Sequence, residues 1–152
     1  MHTRRLGPWQ VSALGLGCMN VSWPGRAATD PERRYSHAIP GMHAALDAGV
    51  TFLDTANIYA PAWHAIGHNE EVVKEALSIW EGDKSNLVIA TKGGISRSEG
   101  EVWGRNGSLD HLLHAVEQSM EHLGVDQIQL YQIFLQLRFC NLPKLFKNLI
   151  FS

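Results

Sequence analysis

An α/β fold with a parallel sheet is the architecture this sequence predicts, and three observations carry the prediction. Short aliphatic runs alternate with stretches of helical periodicity four times before residue 133. The runs are too short for buried helices and end in polar or glycine-containing segments. Glycines 49 and 124 follow two of the helical stretches, where a left-handed cap ends a helix.

In chain order, Gly7-Pro8 predicts a turn that folds residues 4 to 12 into a hairpin, followed by a strand over residues 12 to 17, SALGLG. MHAALDA, residues 42 to 48, predicts a helix ended by Gly49. Pro40-Gly41 interrupts the stretch upstream from Thr29, so this first helix is expected to be kinked or to start late. VTFL (50 to 53) predicts the second strand. Glu70 to Trp80 places Val72, Val73, Ala76, Leu77 and Trp80 on one helical face. LVIA (87 to 90) predicts the third strand. Ser108 is an N-cap for a helix running to Leu123, with Leu112, Leu113, Val116 and Met120 in its stripe. IQLY (128 to 131) predicts the fourth strand.

The 152 residues are of single-domain length, and an apolar content of 45% is enough for a core. A net charge of −2 gives no field for a polyanion, which excludes nucleic acid as the expected partner. No run approaches the ~18 apolar residues of a membrane span. Cys18 and Cys140 make no disulfide framework or zinc spacing, and no apolar stretch follows Arg4 and Arg5, so a cytoplasmic setting is expected.

Three ionisable residues fall at or just beyond strand ends: Asp54 after VTFL, Tyr59 five residues on, and Lys92 after LVIAT. In parallel α/β folds that edge gathers ligands and catalysts. An ammonium beside a tyrosine stabilises its phenolate and a carboxylate orients the ammonium, so the trio can protonate a carbonyl oxygen while hydride reaches the carbon. By spacing alone, a structural ion pair and a packing tyrosine fit equally, and spacing favours that plainer description.

Five blocks change the balance: ALGLGCM (13 to 19), ALDAGVTFLDTANIY (45 to 59), HNEEVVKEAL (68 to 77), VIATKGG (88 to 94) and SLDHLLHAVEQSMEHLGVDQIQLYQ (108 to 132). In order and spacing they resemble the aldo-keto reductases. The resemblance implies a (β/α)8 TIM-type barrel, represented here by an N-terminal hairpin and about four βα units over residues 1 to 133. It also implies NADPH-dependent reduction of aldehydes or ketones, with a small carbonyl compound as substrate. Residue by residue it makes Asp54 the catalytic aspartate, Tyr59 the proton donor and Lys92 the lysine that assists it. Gly17, Cys18 and Met19, with Asp54, match the turn beside the nicotinamide of NADPH. GLGCMN is no GxGxxG fingerprint, and no YxxxK follows any tyrosine, which argues against a dinucleotide-binding Rossmann fold and the short-chain reductases.

The resemblance further implies a histidine after LYQI, and the sequence has Phe134 there. The last acid is Asp126 and the last glycine Gly124, whereas Phe134, Phe139, Phe146 and Phe151 crowd the end of the chain. A complete barrel typically needs ~250 residues. Residues 134 to 152 are therefore read as a tail foreign to the family, of the kind a frameshift or mis-splicing produces. Turnover is expected at or near background, with an inactive fragment or a docking module as the alternative, and an open sheet edge as a route to self-association.

Trp23 and Trp103 are weak candidates for lining a substrate pocket, placed in loops. The eight histidines, His111, His114 and His122 among them, read as surface residues, since no HExxH motif occurs and no metal is expected. Cys18 reads as a packing residue with no adjacent base, and Glu70 and Glu71 as acids of a helix's first turn.

Overall fold

A hairpin opens the chain: β1 (Thr3–Leu6) and β2 (Trp9–Ser12) pair antiparallel around Gly7-Pro8, as the turn predicts. The computed structural model describes residues 1–22 and 31–134, the side chains of 31–37 excepted. The predicted strand over 12 to 17 divides. Ser12 ends β2, where its N–H donates to Thr51 Oγ1 and its hydroxyl accepts from Thr51 N, and the chain pairs again only at β3 (Leu16–Gly17).

The remaining strands are β4 (Phe52–Asp54), β5 (Val88–Gly93), β6 (Ile95–Ser98), β7 (Val102–Arg105) and β8 (Leu130–Ile133). The order β3-β4-β5-β8 forms one sheet, parallel throughout. Helices α1 (Met19–Ser22) and α2 (Pro31–Asp47) follow β3 in the chain, α3 (His68–Ile79) follows β4, and α4 (Leu109–Leu123) follows β5 after the β6–β7 hairpin. Among the described residues β3 and β8 each have a strand neighbour on one side only.

Of the two expectations for the first helix, a late start is not met: α2 begins at Pro31 and runs through Pro40. Its C-terminal half buries Met42 and Leu46 in the core, and that packing outweighs the hydrogen bond the proline ring forfeits. Helix α4 matches its prediction at both ends. The Ser108 hydroxyl accepts from His111 N, and Gly124, at φ +67, donates its N–H to Glu121 and Met120 carbonyls.

Leu53 and Val73 are fully buried between sheet and helices, with Cys18, Val50, Ala76, Leu87 and Leu123 in the same cluster. The third and fourth strands each extend beyond their sequence bounds, to Gly93 and Ile133, because they pair residue for residue over Ala90 to Gly93 against Leu130 to Ile133. Alternation then divides their side chains between two faces. Thr91 and Tyr131 share the helix-covered face, and Lys92 and Gln132 the opposite one.

On the helix-covered face Glu70 is completely buried. Its first-turn position stands, but its surroundings are those of a core residue. Thr91 Oγ1 donates to its Oε1 at 2.6 Å, and His122 Nδ1 lies 3.4 Å from its Oε2. His122 is thus no surface histidine: α3 and α4 close over it, and its ring occupies the space a Cβ at Gly67 would need. Burial raises the Glu70 pKa, opposed by the hydrogen bond from Thr91 and by the nearby Ser119 and His122; burial, with Glu70 adding to it, pushes the Tyr131 phenol up to about 12.

A carboxyl with a folded-state pKa above its unfolded one favours folding while protonated, and that contribution is lost as pH rises through the folded value. Glu70→Gln, which keeps an acceptor for Thr91, is therefore expected to gain on wild type as pH rises from 5 to 8. Melting temperatures of both proteins across that range check it, and a constant difference would refute the burial account.

Candidate functional site

Asp54 ends β4 and Lys92 stands in β5, one strand over and two residues further along, so both reach the C-terminal edge of the sheet. Lys92 Nζ donates to Asp54 Oδ1 at 2.8 Å and to the Thr55 carbonyl at 3.0 Å. The same ammonium sits 4.8 Å from the centroid of the Tyr59 ring. The three side chains singled out in the sequence thus share one cluster, with the cation between the carboxylate and the aromatic face. Lys92 is mostly buried, at 15% side-chain exposure, against 35% for Asp54.

A cavity of about 260 Å³ opens beside them, lined by Met19, Asn57, Tyr59, Lys92, Trp103 and Phe134, with Ile58 and Ile95 adding apolar wall. Gly17, at the end of β3, is exposed, and a Cβ there would meet nothing within 4 Å. Met19 is exposed and faces the cavity, but Cys18 between them is fully buried. The Cys18 N–H is given to the Asp54 carbonyl and its thiol to the Leu16 carbonyl; burial, with Asp54 nearby, pushes the thiol up to about 12, so it stays protonated. Trp103 is not in a loop: it lies on β7, in a hairpin with β6 that the sequence reading missed. Trp23 lies outside the described residues.

Four residues that position this edge escaped the sequence reading. Asn69, fully buried on α3, accepts from Thr55 Oγ1 at 2.6 Å and donates to the Cys18 carbonyl at 2.8 Å and to Ser22 Oγ at 2.9 Å. Gln132 Nε2 donates to Asp54 Oδ1 at 3.1 Å, the oxygen that Lys92 also holds. Arg97 Nη1 donates to the carbonyl of Ala60, next to Tyr59, at 2.8 Å, and its Nε pairs with Glu101. Glu101 in turn accepts from Trp63 N at 2.9 Å and carries a left-handed backbone, φ +61, held by these two partners. The fourth, Asn57, lies in the turn that Tyr59 N closes onto the Ala56 carbonyl. A polar residue beside a motif tyrosine was the available signal for Asn57; for Arg97, 37 residues from its acceptor, the sequence offers none.

Ser22 Oγ and His68 Nδ1 lie 2.9 Å apart, and burial lowers the His68 pKa, with Glu71 opposing. Among the described residues no group of three or more His, Cys, Asp or Glu side chains is arranged to hold a metal, and no helix is long and apolar enough to cross a membrane.

A hairpin followed by four parallel strands, with polar groups gathered at their C-terminal ends, defines part of a (β/α)8 barrel. The sequence profile of the Aldo/keto reductase family matches residues 13–134, and the chain belongs to that family of oxidoreductases. It is 34% identical over 125 residues to the 6-dehydroglucose reductase of Novosphingobium aromaticivorans, covering 82% of this chain and 40% of that protein. Among solved structures it resembles aldo-keto reductase AKR11C1 from Bacillus halodurans, with a TM-score of 0.67, 34% identity, and coverage of 88% of this chain and 40% of that one. It also resembles the glycerol dehydrogenase AKR11B4 from Gluconobacter oxydans, with a TM-score of 0.70 and 28% identity over 86% of this chain and 38% of that one. The chain thus spans about 40% of the length of the relatives it matches.

Proposed function

We propose that the cavity at the C-terminal edge of the sheet is a site for reducing an aldehyde or ketone, with Tyr59 as the proton donor. The observation that carries this reading is the Lys92 ammonium, held by Asp54 at 2.8 Å and lying against the Tyr59 ring at 4.8 Å. When the phenol hands its proton to a carbonyl oxygen, the negative charge left behind develops beside a fixed cation. Asp54 keeps that cation from turning away, and Gln132 fixes the carboxylate oxygen that holds it.

NADPH, when bound, supplies the hydride. The room it needs is consistent with the exposed Gly17, which no neighbour crowds, and with Met19 lining the cavity. Cys18 contributes by shaping the turn, its thiol being buried. Trp103 and the apolar wall exclude water from the reacting groups. A cytoplasmic setting, with its supply of reduced nicotinamide, suits this chemistry.

A second reading, a carbonyl-binding module without turnover, is favoured by Phe134. Its N–H donates to the Gly93 carbonyl, continuing the β8 ladder, so a phenyl ring occupies the position where the family resemblance implies histidine. Consumption of NADPH with 4-nitrobenzaldehyde separates the two. The expected result is a rate close to the enzyme-free blank, with any excess lost in Tyr59→Phe and increased in Phe134→His. An excess that survives Tyr59→Phe would remove Tyr59 from the proposal, whereas no excess in either wild type or Phe134→His overturns turnover at this site. The one-sided pairing of β3 and β8 also supports self-association through a sheet edge, and light scattering over a concentration series tests it.

A further inference from the structure

A second cavity, of about 350 Å³, meets the one beside Tyr59 at Ile95 and Trp103, which line both. Beyond that shared wall its described lining is Gly104 and Arg105. The pairing of the hairpin explains the placement. Directly opposed residues of an antiparallel pair share a face, as do residues two apart along one strand. Ile95 stands opposite Arg105 and Arg97 opposite Trp103, so the four side chains lie on one face of the β6–β7 hairpin, with the Arg97 guanidinium carbon 4.8 Å from the centroid of the Trp103 ring. Ile95 and Trp103 turn that face to both cavities, and Arg105 is exposed, like the rest of β7, so a ligand can reach it.

Charge decides which ligand the second cavity suits. The charged side chains of the described lining of the two cavities are Lys92 and Arg105, and no acid is among that lining. Lys92 is committed to Asp54 at 2.8 Å, and Arg97, on the same hairpin face, to Glu101. Arg105 already makes an interaction of its own, but a guanidinium carries five N–H donors in a planar fork, enough to take a carboxylate as well.

We propose that Arg105 is a specificity-determining residue that binds a carboxylate at the far end of the substrate, so that the site takes carbonyl compounds that are also acids over their neutral counterparts. The carbonyl lies at Tyr59 and Lys92, the body of the molecule passes along Ile95 and Trp103, and the carboxylate meets the guanidinium. Trp103 and Arg105 are two residues apart on an extended strand, about 7 Å, so the acid sits roughly one benzene ring beyond the part of the molecule that touches Trp103. An aryl aldehyde with an acid group para to the aldehyde has that layout.

This assignment rests on the carbonyl-site reading, and the test keeps the two apart. 4-Formylbenzoate and 4-formylcinnamate are each compared with their methyl esters, which keep the ring and the aldehyde and lose the charge. Binding to the full chain is measured by ligand-observed NMR, which needs no turnover. At low salt wild type is expected to bind at least one acid about fivefold more tightly than its ester, and at about 0.5 M NaCl the preference is expected to fall below about twofold. In Arg105→Met and Arg105→Gln, each checked for fold by circular dichroism, the preference is expected to be lost and ester binding kept. Equal binding of acid and ester by wild type for both pairs, a preference unmoved by salt, or one that survives the substitutions and so belongs to Lys92, overturns the Arg105 assignment and leaves the carbonyl site standing. Binding of neither acids nor esters overturns the carbonyl-site reading, and the assignment with it.

Discussion

Replacing Asn69 by leucine is expected to lower the melting temperature by about 10 °C, corresponding to a loss of about 3 kcal/mol. Leucine fills nearly the same volume, so cavity formation contributes little and the cost is polar. The side chain serves three partners drawn from the ends of two strands and from α1: Thr55 Oγ1, the Cys18 carbonyl and Ser22 Oγ. Thr55, Cys18 and Ser22 are each fully buried, so water cannot replace what is lost. Asn69→Asp keeps the acceptor for Thr55 but gives up both donors, and should fall at least as far. Thermal melts by circular dichroism decide the matter, and a drop below about 3 °C for Asn69→Leu would show that the surroundings relax to re-pair these groups.

Arg97→Met should cost about 2 kcal/mol and loosen the wall of the cavity. The fully buried Ala60 carbonyl loses its donor, and Glu101 loses the guanidinium that holds its carboxyl below the usual carboxylate range. Freed of that partner, Glu101 has less to offset its left-handed backbone, and its tie to Trp63 weakens. Trp103, whose ring lies 4.8 Å from the Arg97 guanidinium carbon, is expected to become more mobile. The measurement is a pair: a melting curve for stability and tryptophan emission for the β6–β7 hairpin. A lowered melting temperature with unchanged emission would mean that Arg97 supports only the loop after Tyr59.

Legibility in the sequence followed the range of the forces involved. Local signals were readable: the Gly7-Pro8 hairpin, the Ser108 cap, the Gly124 stop and the aliphatic strands are each decided within a few residues. Strand ends were misjudged by two or three residues, because pairing between β5 and β8 sets them rather than composition. Asp54, Tyr59 and Lys92 were visible because strand ends and motif wording both mark them, and the structure brings them into one cluster. The burial of Glu70 and the contacts of Asn69, Gln132 and Arg97 join residues 14 to 78 positions apart, and no periodicity reports such distances. The β6–β7 hairpin was missed for a different reason: ISRSEGEVWGR lacks an apolar face because one of its strands is fully exposed.

The alternation along β5 and β8 bears on how the sheet avoids misassembly. Thr91 stands opposite Tyr131 and Lys92 opposite Gln132, so each face of this strand pair carries its own polar group with partners waiting. A slip of one residue would turn Gln132 toward the helices and Tyr131 toward Asp54, leaving the Asp54 carboxylate without its amide donor and Gln132 in the space beside Glu70. Aliphatic strands buried on both sides tolerate such a shift with modest loss, since leucine and isoleucine serve on either face. Here the polar residues of the proposed site on one side and those packed against the helices on the other make the wrong alignment self-penalising, and the strand register inherits its accuracy from them.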